Sequence, residues 1–431
     1  MRELTEKHGK VFRLPFRYPT FFLADPADIR HVLVTNHRNY SKARGLRISR
    51  SFLGTGLITA DEPKHSALRK LIQPSFSGER IGEARKVMQE TVERRLQEAW
   101  RDGETINVSR ELARMSLAIT TIALFGKDLT GEIDRIQDAL LVCQRYIERR
   151  VRFGRLIPEH WPTPSTLRYR KAVGVFDRII YQLIEERRRE KDHRHDLLTA
   201  LLEAKQENGE PLSGKDIRDE LVTMLLAGHE TTANALSWTL YLLSQYPEAE
   251  ERFHEEIDRI AQPCTFDDSV MSQLPYTAAL FAESMRLFPP VWRIGRRALL
   301  PDQLPGGVKL PSGAEIVILI SVLHRDPALF PEPDRFNPDR FLIPGPRSSF
   351  LPFGGGPRIC IGEDFARNEA VIMLALIGSG FRLSLMNTRR VKPEPLIALR
   401  PREHIMMKLH SREKSITRQT HFFSRQFQET A

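Results

Sequence analysis

Phe353-Gly354-Gly355-Gly356-Pro357-Arg358-Ile359-Cys360-Ile361-Gly362 sets one thiol in a turn of three glycines and a proline, with little side-chain bulk. A helix-forming run, Glu363 to Leu376, follows directly. Cys360 thus stands near a helix N-terminus, where free N–H groups and the helix dipole favour a thiolate. Small neighbours let backbone amides reach the sulfur and moderate the potential of a metal bound there. Two plainer readings compete. One is a glycine turn with a buried cysteine; the other is a phosphate cradle, which lacks the Lys-Ser/Thr pair that should follow its glycines.

Three other groupings carry chemistry. Ala227-Gly228-His229-Glu230-Thr231-Thr232 puts an acid and two hydroxyls into an apolar stretch, and Gly228 costs a helix about 1 kcal/mol relative to Ala. The plain reading is a threonine bonding back to its own helix. His229 lacks a suitably spaced second ligand, so it reads as a bystander. Glu283 and Arg286, three apart, share a helix face. Such pairs are usually solvated, but Ala278, Ala279, Ala282 and Leu287 surround this one. His65 and Arg69, four apart, share a face in the segment that begins at Asp61.

The elements that must hold these groups are mostly helical. Val11–Leu14 and Thr20–Leu23 read as strands separated by Pro15 and Pro19. From about Glu62 to Leu202 the apolar spacing is helical, with Gly126, Gly154 and Pro162-Thr163-Pro164 as breaks. A long helix is expected from about Ser213, its cap, to Gln245, with Asp216 in its acidic first turn. Another spans Pro275 to Leu287. Short strands and proline-rich turns occupy Arg293 to Pro346, and a last helix follows Gly362. The chain has no internal repeat and no clear linker.

The order Phe353, Gly356, Arg358, Cys360, Gly362 resembles the haem-binding signature of the cytochromes P450, with every defining position filled. The resemblance extends over roughly residues 8 to 410. It implies the P450 fold, mainly α with a small β part, with haem buried between the distal helix and the proximal cysteine loop. A single domain would cover 1–410, β-rich at about 8–60, 293–320 and 380–410, followed by a basic tail, 411–431, with Lys414, Arg418 and Arg425, that reads as a candidate for disorder. The implied cofactor is haem b with Cys360 as metal ligand. Phe353, Gly354 and Gly362 would lie around the sulfur, Arg358, His65, Arg69 and Arg297 (with Arg296 one residue away) on the propionates, and Ala227 on the distal side. Thr231 would hydrogen-bond to the oxygen being activated, and Glu230 with ordered water would relay protons. Glu283, Arg286 and Arg335 would form a buried network fixing the cysteine loop.

The implied reaction inserts one atom of dioxygen into a lipophilic small molecule: a fatty acid, a terpenoid or another natural product. The pocket is expected from the loop Arg44 to Ile58, Leu225 and Leu226, Val291, Trp292, Arg293, Ile294, and Leu396 with Ile397. Arg47 or Arg293 could anchor a carboxylate. Electrons would come from NAD(P)H through a ferredoxin or flavodoxin and its reductase. Rivals are a peroxygenase or isomerase on the same fold, and a haem-binding sensor without turnover. The composition is that of a globular enzyme: 431 residues, 41% hydrophobic, 28% charged. The net charge of +10 attracts acidic partners. No nucleic-acid-binding pattern accompanies it. Three scattered cysteines point to a reducing compartment, and no N-terminal apolar run has membrane-span or signal-peptide length. A cytoplasmic monomer without a transmembrane anchor is the expectation.

Overall fold

Val11–Leu14 and Thr20–Leu23 form an antiparallel pair, Val11 opposite Leu23. The computed structural model describes residues 2–16, 18–153, 161–190, 194–205, 209–260, 264–343 and 348–412. In it Thr20–Leu23 runs parallel to Glu315–Ile318, which pairs antiparallel with Ile294–Ala298, and that strand in turn with Tyr40–Lys42. The parallel neighbours are joined through most of the helical part of the chain, as a parallel pair needs a crossover. One face of this sheet is buried by Phe21, Leu23, Ala298, Ile316 and Ile318.

The helical part is built round the helix Gly214–Leu243, 30 residues long. Ser213 caps it, its Oγ accepting the Asp216 N–H at 3.1 Å. Leu221 to Leu226 and Ala235 to Leu243 are buried in unbroken runs, so the helix is apolar all round and sits at the centre. Val108–Phe125 lies against it. Gly228 makes that approach possible: a Cβ there would come within 2.6 Å of Thr120 Cγ2. Gly228→Ala should therefore destabilise by about 1–3 kcal/mol through overpacking, despite the better helix propensity. Urea unfolding should show most of the loss recovered in Gly228→Ala/Thr120→Ala.

Pro275–Leu287, opened by its proline, and Glu363–Gly380 complete the core around the long helix. Sequence periodicity missed the short helices Pro26–Arg30, Arg44–Ile48 and Arg50–Leu53, which are too brief to show a period. It also missed the strand Thr105–Asn107, three residues between helices that pair with Met406–Lys408. Gly154 and Pro346 lie outside the described residues, as does the basic tail from residue 413. Arg412 is tied down, donating to the Gly378 carbonyl at 2.6 Å and Asp258 at 2.8 Å. Among the described residues no helix is long and apolar enough to cross a membrane.

Candidate functional site

The cysteine loop folds as its glycines dictate. Gly356 adopts φ +70° and rests on the Leu33 carbonyl, where a Cβ would come within 1.9 Å; no other residue fits. The Cys360 N–H donates to the Phe353 carbonyl at 3.0 Å, and the Arg367 guanidinium lies 4.9 Å from the Phe353 ring centre. Arg69 donates to the Ile359 carbonyl at 2.7 Å. Cys360 is reachable from outside, yet protein surrounds it closely enough that burial pushes its thiol up. The Gly362 N–H and the Arg69 charge pull the other way, and Glu363 adds to the rise. Burial thus opposes the thiolate that the Gly362 N–H favours, and binding a cation would tip the balance, since a coordinating thiol is deprotonated.

Beside the loop lies a buried cationic cluster. Arg358 donates to the Ala60 carbonyl at 2.8 Å and stands 3.5 Å from Glu62. His65 Nδ1 is 3.1 Å from the same carboxylate oxygen. Lys42 and Arg296 face one another across paired strands. Burial, aided by Arg358, holds Arg296 down to about 10 and His65 to about 4, and burial with Arg296 and Arg358 holds Lys42 well below the lysine range. Asp61 and Glu62 are the acids that bear on these groups. The cluster is thus short of negative charge. Arg297, the sequence choice, points elsewhere: alternate strand residues face opposite sides, and it is registered against Ser41 and Glu315. Arg296 is the strand residue that stands in the cluster. Lys42 was missed, having no motif of its own.

On the long helix, Thr231 Oγ1 donates to the Ala227 carbonyl at 2.7 Å, the back-bond that an isolated helical threonine makes. Glu230 is held by Gln144, whose Nε2 lies 2.7 and 2.6 Å from its two oxygens. Burial pushes this carboxyl up, against the Gln144 hydrogen bond and the Arg400 charge. His229 is buried on the Leu225 carbonyl at 2.6 Å, and no metal-binding cluster occurs among the described residues. Glu369, nine residues after Cys360, is fully buried beside Ser116 and Thr232, and burial pushes it up to about 8.

The ion network needs one correction. Glu283 and Arg286 are both wholly buried and joined by two hydrogen bonds, 2.7 and 2.8 Å. Arg335 does not join them: its side chain is 63% exposed and pairs with Glu332, and only its carbonyl accepts from Arg286, at 3.1 Å. The third cation is Arg340, its Nε 3.4 Å from Glu283 Oε1. Arg286 also donates to the carbonyls of His324 and Pro333, and His324 Nε2 accepts the Leu351 N–H at 2.9 Å. A continuous chain of bonds thus runs from the Glu283 helix to the cysteine loop.

The sequence profile of the family described as Cytochrome P450 matches residues 1–409. This chain is a cytochrome P450. Cyclooctatin synthase of Streptomyces melanosporofaciens is 35% identical over 401 residues, covering 91% of this chain and 87% of that protein. Cyclooctat-9-en-7-ol 5-monooxygenase of the same organism is 33% identical over 385 residues, 87% and 83% of the two chains. Pentalenene oxygenase of Streptomyces avermitilis is 30% identical over 414 residues, 94% and 91%. The fold, mainly helical with small sheets, is that of the P450 family, and this P450 is a monooxygenase, an oxidoreductase using haem, dioxygen and reductant electrons. Its site fits the cofactor: one accessible sulfur with an N–H aimed at it, beside buried cations lacking counter-charge, suits an iron porphyrin carrying two carboxylates.

The expected pocket residues are only partly brought together. Trp292 Nε1 donates to the Leu396 carbonyl at 2.9 Å, and Leu226 is buried. Val291 is 39% exposed, while Ile294 lies at the start of its strand. Neither cation expected to anchor a carboxylate is free. Arg47 pairs with Asp61 at 2.9 Å, and Arg293 with Glu148 at 2.7 Å while stacked on Trp292.

Proposed function

We propose that this P450 holds haem b through Cys360 and oxidises a neutral, lipophilic terpenoid. Arg358, Arg296, His65 and Lys42 would hold the propionates, and Arg69 would brace the cysteine loop. The haem supplies dioxygen activation. One oxygen atom enters a C–H or C=C bond of the substrate and the other leaves as water, consuming two electrons and two protons. Glu230 would supply protons on the distal side, and Thr231 would donate its hydroxyl there once it has left the Ala227 carbonyl. Electrons reach the protein from NAD(P)H by way of a ferredoxin or flavodoxin and its reductase, and the chain acts as a cytoplasmic monomer.

The observation that carries the substrate class is the pairing of Arg47 and Arg293. A carboxylate at Arg293 would have to displace Glu148 and leave that acid unpaired, and one at Arg47 would compete with Asp61, which Arg50 also holds at 3.1 Å; a neutral molecule avoids both costs. The relatives' names agree: one denotes an alcohol, another an alkene. The test offers pentalenene, cyclooctat-9-en-7-ol and palmitate to the haem-loaded protein with a surrogate ferredoxin and reductase under isotopically labelled dioxygen. A product carrying one labelled atom from either neutral compound, and none from palmitate, is the expected result. Oxidation of palmitate alone overturns the neutral-substrate reading.

A further inference from the structure

Gln144 is the side chain that the reaction chemistry leaves unexplained. It lies on the helix Ile133–Phe153, is 1% exposed, and has Cys143, Tyr146 and Ile147 as buried apolar neighbours. A primary amide in such a place costs free energy unless its polar atoms are used. Half of it is used: Nε2 bridges both oxygens of Glu230. Its Oε1 is buried and unpartnered.

We infer that Gln144 is a positioning residue for proton transfer at Glu230, serving the acid in both of its protonation states. When Glu230 is ionised, Nε2–H donates to the carboxylate, as seen here. When Glu230 is protonated, a half-turn of the amide brings the free Oε1 round to accept from the carboxyl O–H. Amide oxygen and nitrogen have nearly the same shape, so the turn needs no repacking. In either state one amide atom stays unpartnered, which keeps the two arrangements close in energy. A lysine or arginine would lock the acid ionised, and a leucine would support neither state.

The surroundings bear on the charge of Glu230. Of the described charged groups, Arg400 is the one whose field reaches Glu230. It stands on the strand Leu399–Pro401, and its Nε is 3.7 Å from Glu394 Oε2 on the paired strand. Glu394 Oε1 is in turn 3.5 Å from Arg145, which neighbours Gln144 and is 59% exposed. Arg400, Glu394 and Arg145 thus form a run of ion pairs that reaches the surface beside the helix carrying Gln144. The Arg400 charge steadies the carboxylate while Glu230 is ionised.

This inference rests on the relay role proposed for Glu230, and the experiment separates the two. Infrared difference spectra of the haem-loaded full chain are titrated with pH, and the carboxylic-acid C=O band of Glu230 is assigned by its loss in Glu230→Gln. Gln144→Leu removes the donor to the ionised form and the acceptor for the acid together, so the bands of both forms should move, the C=O band of protonated Glu230 to higher frequency as its O–H loses the amide acceptor. Gln144→Met, which keeps the length without either amide atom, should do the same, and it carries the test if Gln144→Leu fails to load haem. Unmoved bands in a haem-loaded variant overturn the positioning role. Separately, NADH-driven oxygen consumption with a surrogate ferredoxin should fall in Glu230→Gln. An unchanged rate overturns the relay, and the inference with it.

Discussion

Glu283→Ala is expected to cost about 3–5 kcal/mol and most of the bound haem, measured by urea unfolding and by haem absorbance per chain. The magnitude follows from what the substitution leaves behind. Arg286 is wholly buried and would keep three carbonyl acceptors, those of His324, Pro333 and Arg335, but no counter-charge. The Asn337 N–H, which now donates to Glu283 Oε1 at 2.9 Å, would lose its acceptor. Arg340, 14% exposed, would lose its carboxylate. The damage should travel, because Arg286 positions the His324 carbonyl and His324 receives the Leu351 N–H at the entrance to the cysteine loop. Two milder variants identify the third cation. Arg340→Met should lower stability and haem retention in the same direction, by less, since Arg286 still neutralises Glu283. Arg335→Met should change stability by no more than a surface salt bridge does, about 0–1 kcal/mol. Equal effects of Arg335→Met and Arg340→Met would contradict the network as described.

That distinction could not be read from the sequence. Pro333-Asp334-Arg335-Phe336 and Pro338-Asp339-Arg340-Phe341 are the same four residues twice, and only the approach of the Glu283 helix tells them apart. Arg296 and Arg297 pose the same problem in a strand. The two faces alternate, and the parity is fixed by pairing with Tyr40–Lys42, more than 250 residues earlier. Lys42 and Gln144 had no local signal at all, because their meaning comes from partners far along the chain. What was legible had local causes. Ser213 and Pro275 mark helix starts through capping and N1 chemistry, Pro15 and Pro19 bracket a turn, and the cysteine loop needs its glycines for backbone reasons. The pairing of Arg47 with Asp61 and of Arg293 with Glu148 shows the limit most clearly. Both arginines looked like anchors until their charges were accounted for in three dimensions.

Cys360→Ser should separate holding the haem from using it. With haem bound, the dithionite-reduced wild-type protein treated with carbon monoxide should show the strongly red-shifted Soret band of a thiolate ligand. The serine variant should lack it, because an alcohol oxygen in place of sulfur does not push electron density onto the iron. Turnover should fall by more than the ~10–100-fold that loss of an outer-shell partner costs. Some haem should nonetheless remain, since Arg358 and Arg296 keep their positive charge whatever stands at position 360, and His65 and Lys42 remain beside them as donors to a carboxylate. The complementary variant is Lys42→Met, which removes one buried amine and leaves the sulfur alone. It should weaken haem retention without moving the carbon monoxide band. A red-shifted band that survives Cys360→Ser would refute Cys360 as the ligand. A band that moves in Lys42→Met would mean that the cationic cluster sets the electronics of the iron as well as the seat of its carboxylates.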